Sequence, residues 1–139
     1  MLKGIPAVLT PDLVHTLMRM GHGDEIVLAD ANFPAETMGR RLVRQDGCGL
    51  CDILEAVLTL MPLDQAKPQP FILMQPQNIA DEPGIWRQYF ALVRENQPEA
   101  EPLYLDRFSF YDRAQTAFAV AITGEQTRYA NIILRKGVI

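Results

Sequence analysis

Gly21-His22-Gly23-Asp24-Glu25-Ile26-Val27-Leu28-Ala29-Asp30 is the stretch on which the fold turns. Ile26 to Ala29 is a short apolar run that stops abruptly at the carboxylate of Asp30. A continuous apolar run of this length, bounded by turn residues, predicts a strand buried on both faces. Upstream, Thr10 can cap a helix and Pro11 can take its first position. Leu13, Leu17 and Met20 then recur at helical spacing, Val14 and Met18 widen that face, and Gly21 stops it. A helix, a polar turn and a buried strand are thus written into the first thirty residues.

The same alternation continues outward. A weakly marked strand is expected around 41–43, and Asp52 can cap a helix running to Leu60. Phe71 to Met74 reads as a second buried strand. Ile85 to Val93 reads as a helix, Leu103 to Leu105 as a short strand and Arg107 to Gln115 as a helix. Ala117 to Ile122 predicts a strand ending at Gly124. Asn131 to Leu134 predicts a last strand, closed by Gly137. The proline-rich stretch from Pro62 to Pro70 reads as a surface loop. Strands alternating with helices argue an α/β class, with a mainly parallel sheet flanked by helices in one domain over residues 1–139. Ligands of such sheets bind beyond the carboxyl ends of strands, which singles out Asp30.

The 139 residues are 48% hydrophobic and 22% charged, an ordinary globular composition. A net charge of −4 gives no electrostatic footprint for nucleic acid or an anionic membrane. The stretch from Met1 to Asp12 has one lysine and an apolar run cut by prolines, unlike a signal peptide, so a cytoplasmic protein is expected. No run of apolar residues is long enough for a spanning helix.

Two polar clusters could carry chemistry. In the first, His22 lies between two glycines, which leave room for a ligand to approach the imidazole. Histidine titrates near neutral pH and can both give and take a proton. Asp24 or Asp30 could orient it or bind a hydroxyl; a plain helix-stop turn with a surface histidine is the alternative. The second cluster is Arg107-Phe108-Ser109-Phe110-Tyr111 with Thr127-Arg128-Tyr129-Ala130-Asn131. Arginine and asparagine offer hydroxyl-binding donors, and asparagine an acceptor as well. An amphipathic helix with Phe108 and Phe110 in the core would also explain the first half of this cluster.

Taken in order, several blocks resemble the fucose mutarotase and ribose pyranase family. They are Gly21-His22-Gly23-Asp24-Glu25-Ile26, Ala29-Asp30-Ala31-Asn32-Phe33-Pro34-Ala35, Arg107 to Tyr111, Arg113-Ala114-Gln115, Ala121 to Glu125 and Tyr129 to Leu134, with Lys136-Gly137-Val138. The resemblance spans nearly the whole chain. It implies an α/β subunit in a ring-shaped homo-oligomer, usually a decamer, with active sites between neighbours. It places His22 at the catalytic position and Asp30, Arg107, Tyr129 and Asn131 at sugar-contacting positions. Gly21-His22-Gly23-Asp24 is similar to the fucose branch, whereas Ala130 between Tyr129 and Asn131 is similar to the ribose branch.

The implied reaction is anomer exchange of a free monosaccharide, with L-fucose the expected sugar. Opening a cyclic hemiacetal needs a proton on the ring oxygen and loss of one from the anomeric hydroxyl, and closing reverses both. One positioned acid/base contributes roughly 10²–10⁴-fold, so neither cofactor nor metal is expected. D-ribose pyranose/furanose exchange and a non-catalytic sugar-binding module are the competing readings. Cys48 and Cys51 form a C-x-x-C ahead of a helix, a spacing that also fits a redox motif. His15 falls off the apolar stripe of the first helix and is expected in solvent or at an interface. Trp86 and the apolar last strand are candidates for interface contacts in a purely structural protein.

Overall fold

The computed structural model describes residues 2–139. In chain order the elements are α1 (Pro11–Arg19), β1 (Glu25–Ala29), α2 (Ala35–Met38), β2 (Leu42–Gln45), α3 (Leu50–Leu60), β3 (Phe71–Met74), α4 (Trp86–Asn96), β4 (Pro102–Leu105), α5 (Arg107–Thr116), β5 (Ala119–Thr123) and β6 (Ile132–Arg135). A single turn of 3₁₀ helix at Ile79–Asp81 precedes α4. The strands form one sheet in the order β2-β5-β1-β6-β3-β4.

The sheet is mixed, with every strand but β6 running the same way. β2, β5 and β1 are mutually parallel, as are β3 and β4. β6 runs antiparallel to both its neighbours, with Val27 opposite Ile133 and Ile72 opposite Ile133 on the other side. The reason lies in the connection. A parallel return needs a crossover of a dozen or more residues, usually a helix, and residues 124–131 are too few. The chain instead passes the end of β1 and comes back down its far side.

Both faces of the central strands are covered, which explains their unbroken apolar sequences. Ile26 and Leu28 face a core with Leu13, Leu17, Leu54, Val57 and Tyr89 from α1, α3 and α4. Val27 and Ala29 face a second core with Ala35, Phe110 and Ala114 from α2 and α5. Every residue of β1, β3 and β5 is buried.

Several sequence expectations need adjustment. Met18 does not widen the buried face of α1 but is 79% exposed, because it sits five residues from Leu13, on the far side of the helix. Met20 caps the end of α1 through its amide, and the left-handed backbone belongs to Gly23 (φ 83°), not Gly21. Gly49, not Asp52, precedes α3, and Asp52 sits in its first turn. Ala117 closes α5 through its amide, so β5 starts two residues later than the apolar pattern suggests. Trp86 is core, 2% exposed, rather than an interface residue. His15 is exposed, as its position on α1 implies.

Thr10 caps α1 as expected, its hydroxyl accepting from the Leu13 amide at 3.4 Å. The same oxygen accepts from Gln45 Nε2 at 2.6 Å and so ties α1 to the end of β2. Thr10→Ala should therefore cost about 1–2 kcal/mol, the upper part of the usual capping range. Urea unfolding at fixed protein concentration measures it; an unchanged midpoint would show that neither bond contributes.

Candidate functional site

All strands but β6 point the same way, so polar residues gather at two opposite edges of the sheet. At the carboxyl-end edge, Asp30 follows β1, Asp106 and Arg107 follow β4, and Asn131 precedes the reversed β6. Asp30 and Asn131 bind each other twice: the Asp30 amide donates to Asn131 Oδ1 at 2.8 Å, and Asn131 Nδ2 donates to Asp30 Oδ2 at 2.8 Å. Asp30 Oδ1 accepts from the Asn32 amide at 2.9 Å. Asp30 is 5% and Asn131 4% exposed. Burial raises the Asp30 carboxyl above its ordinary value, against the opposing pull of these hydrogen bonds. Each carboxylate oxygen keeps a lone pair and Asn131 keeps one N–H, so the pair can still bind a ligand.

Tyr129 adopts a left-handed backbone (φ 58°), costly for a residue with a side chain. α4 holds it there. Trp86 Nε1 donates to the Tyr129 carbonyl at 3.1 Å, and the Tyr89 hydroxyl donates to the Ala130 carbonyl at 2.8 Å. Arg107, exposed at the start of α5, donates Nε to the Tyr111 hydroxyl at 3.3 Å. The Tyr111 ring packs edge-on against Phe33, just beyond Asp30, with centroids 5.6 Å apart. Asp106 caps α5 by accepting from the Phe108 and Ser109 amides. Phe110 is buried in the core, whereas Phe108 stands beside Arg107 at 71% exposure.

His22 lies at the other edge, in the turn before β1. Its imidazole is half exposed, and Nε2 is 3.3 Å from Asp64 Oδ1. Asp64 is 2% exposed and also accepts from the Ala66 amide at 2.9 Å and from Arg135 Nε at 2.9 Å. These hydrogen bonds hold its carboxyl below the usual range despite burial. An ionised carboxylate only accepts, so Nε2 carries a proton, and in the neutral ring the lone pair is on Nδ1. Asp24 does not orient His22; its Oδ2 accepts from the Gly21 amide at 2.7 Å and closes the turn. Sequence reading missed Asp64, which sits in the stretch expected to be a surface loop. Nothing local marks it, since its side-chain partners are 42 and 71 residues away.

The structure thus brings Asp30, Tyr129 and Asn131 together and sets Arg107 on the same edge. It leaves His22 at the opposite end of β1. A strand of this length puts on the order of 15 Å between the two ends, well beyond a monosaccharide's reach.

The chain matches the RbsD / FucU transport protein family over residues 3–139. It belongs to that family. It is 46% identical to the human fucose mutarotase over 145 aligned positions, covering 99% of this chain and 94% of the human protein. The crystal structure of the fucose mutarotase from Streptococcus pneumoniae in complex with L-fucose superposes with a TM-score of 0.94 at 44% identity, covering 99% of each chain. Bacillus subtilis RbsD complexed with D-ribose is more distant, with a TM-score of 0.74 at 27% identity over 94% of this chain and 95% of that one. Family membership accounts for the single α/β domain.

The C-x-x-C pair lies at the start of α3, with both cysteines free and half-buried. Burial, helped by the charges of Glu125 and Asp52, pushes the Cys51 thiol up to about 11, the reverse of what a redox nucleophile needs. Among the described residues, no group of three His, Cys, Asp or Glu side chains is placed to hold a metal ion. No described helix is long and apolar enough to cross a membrane.

Asp64 and Asp30 should act oppositely on stability. The depressed Asp64 carboxyl contributes stability that is complete above its ordinary value of 3.8 and is lost as pH falls through its lower folded value. The raised Asp30 carboxyl costs stability as pH rises through 3.8 and beyond. Asp64→Asn should therefore lower the urea midpoint at pH 7, with the gap to the wild type closing below pH 4. A gap of the same size at pH 3 and pH 7 would contradict the charged role of Asp64.

Proposed function

We propose that the protein is an L-fucose mutarotase, an isomerase that interconverts the anomers of the free sugar by acid/base ring opening and closure. The observation that carries this reading is His22: a half-exposed imidazole whose Nε2 is committed to a buried carboxylate and whose Nδ1 is free to move a proton. The family and its fucose-named members, including the structure with L-fucose bound, support the choice of sugar.

His22 exchanges a proton with the ring or anomeric oxygen, and rotation about the C1–C2 bond of the open aldehyde precedes closure on the other face. Asp30 accepts hydrogen bonds from sugar hydroxyls through its remaining lone pairs. Arg107 and the remaining Asn131 N–H donate to hydroxyl oxygens, and the Tyr129 phenol offers a further partner. Tyr129 and Asn131 are held in register by Trp86, Tyr89 and the two hydrogen bonds between Asn131 and Asp30.

In this reading the sugar sits between two subunits, with His22 from one and Asp30, Arg107, Tyr129 and Asn131 from its neighbour. The separation of these groups along β1 supports that arrangement, as does the exposed Phe108 beside Arg107. A homodecameric ring acting on free sugar in the cytoplasm completes the proposal.

The test is NMR saturation transfer between the anomeric protons of L-fucose, with D-ribose for comparison. Wild-type protein should accelerate exchange of fucose more than ribose. His22→Ala should lose roughly 10²–10⁴-fold of the acceleration. Asp30→Asn should weaken sugar binding by roughly 10- to 100-fold, as expected for a hydrogen bond to a charged group. Assemblies refolded from a mixture of the two variants should regain activity, because some interfaces pair an intact His22 with an intact Asp30. A mixture no better than either variant would place the whole site within one subunit, and full activity in His22→Ala would remove histidine catalysis altogether.

A further inference from the structure

Behind His22 runs a chain of alternating charges that no step of the reaction uses directly. Arg113 on α5 grips Glu25 with both arms of its fork, Nε to Oε2 at 2.7 Å and Nη2 to Oε1 at 2.6 Å. Glu25 is the first residue of β1 and is buried. Its Oε1 lies 3.7 Å from Arg135 Nη1. Arg135, the last residue of β6, turns its Nε to Asp64 Oδ2 at 2.9 Å, and the other Asp64 oxygen meets His22.

We infer that Arg135 is a positioning residue for His22, acting through Asp64, with Glu25 and Arg113 fixing the plane of its guanidinium. The inference rests on the catalytic reading of His22 given above. The Ala66 amide holds Oδ1, the oxygen that meets His22, and Arg135 holds Oδ2, so Arg135 is the side chain that fixes the plane of the carboxylate. A planar fork can address Glu25 and Asp64 at once; an ammonium on a flexible stem cannot hold both in one geometry.

The turn itself is built around this guanidinium. A Cβ on Gly23 would come 3.3 Å from Arg135 Nη2, and the left-handed backbone there already disfavours a side chain. The Gly23 amide donates to the Lys136 carbonyl at 2.8 Å, and the Lys136 amide donates to the Asp24 carbonyl at 2.9 Å. The end of β6 therefore fixes the backbone immediately after His22 as well as the carboxylate that meets its ring.

The neighbouring charges are engaged elsewhere. Lys136 Nζ donates to the Leu17 and Met20 carbonyls and the Asp24 carboxylate closes its own turn, while Lys67 lines one groove with Glu25, Arg113 and Arg135. Among the described residues, Asp64 is the one carboxylate within hydrogen-bond reach of the imidazole. Without Arg135, Asp64 and Glu25 would be like charges with no cation between them, and Asp64 Oδ2 would lose its partner, leaving the Ala66 amide alone to hold the carboxylate.

The test combines kinetics with the tautomer of His22. The chain has only two histidines, so ¹⁵N-histidine labelling gives two ring systems, and a His15→Asn variant assigns them. Wild-type protein should show neutral His22 as the Nε2–H tautomer. Arg135→Gln should give a mixed tautomer and a kcat for fucose anomer exchange lower by roughly 10- to 100-fold, the cost of a small misplacement of the reacting group, with KM little changed. Arg135→Lys should recover part of the rate. Asp64→Asn combined with Arg135→Gln should be no slower than Asp64→Asn alone, because Arg135 acts through Asp64. If Arg135→Gln does not fold, Arg135→Lys carries the test, with an intermediate rate and a mixed tautomer expected. Wild-type kcat with a pure Nε2–H tautomer in a folded Arg135 variant, or additive losses in the double variant, would overturn the inference. Absence of exchange with wild-type protein would instead refute the mutarotase reading, and the tautomer would still judge Arg135.

Discussion

The reversed direction of β6 is the constraint on which both polar edges depend. Because β6 lies antiparallel beside β1, its beginning meets the end of β1 and its end meets the beginning. The first meeting places Asn131 against Asp30 with two hydrogen bonds. The second places Arg135 beside Glu25 and under the His22 turn. A parallel β6 would join neither pair. The short connection from β5 is what forbids that alternative.

Burying carboxylates is costly unless they are paired and fully hydrogen-bonded. Glu25, Asp30 and Asp64 are all buried, and each meets that cost differently. Glu25 is clasped by Arg113 and approached by Arg135. Asp64 is met by Arg135, a backbone amide and His22. Asp30 has only uncharged donors and consequently carries a raised carboxyl, kept at a position where its free lone pairs can serve a ligand. A chain selected for stability alone would rarely keep such a group, which fits a functional rather than structural role for Asp30.

Mutarotation makes modest demands on a protein. The reaction proceeds unaided in water, so one aligned proton-transfer group and a few hydroxyl partners suffice. The cluster around the proposed catalytic His22 is correspondingly small: a glycine-flanked imidazole, one carboxylate and the arginine bound to it. Two sets of hydrogen bonds stand behind these groups: Arg135 and Asp64 behind the imidazole, and Trp86 and Tyr89 of α4 behind the Tyr129–Ala130 backbone.

Apart from α2 and the 3₁₀ turn at Ile79–Asp81, the order of helices and strands was legible along the chain, because buried strands in a two-faced sheet must be continuously apolar, and Ile26 to Ala29, Phe71 to Met74 and the run after Ala117 are. The candidate residues His22, Asp30, Arg107, Tyr129 and Asn131 were legible as well, from ordered blocks resembling one family. Strand direction was not, since antiparallel β6 is as apolar as its parallel neighbours once helices cover both faces. Asp64 was not, since a carboxylate in a proline-rich loop looks the same whether it faces water or a distant arginine. By itself, then, the sequence determined which residues could carry the chemistry, through side-chain type and local pattern. Only the tertiary structure decided which of them meet, because the hydrogen bonds from Asn131 to Asp30 and from Arg135 to Asp64 join residues 101 and 71 positions apart, and no local periodicity encodes contacts at that range.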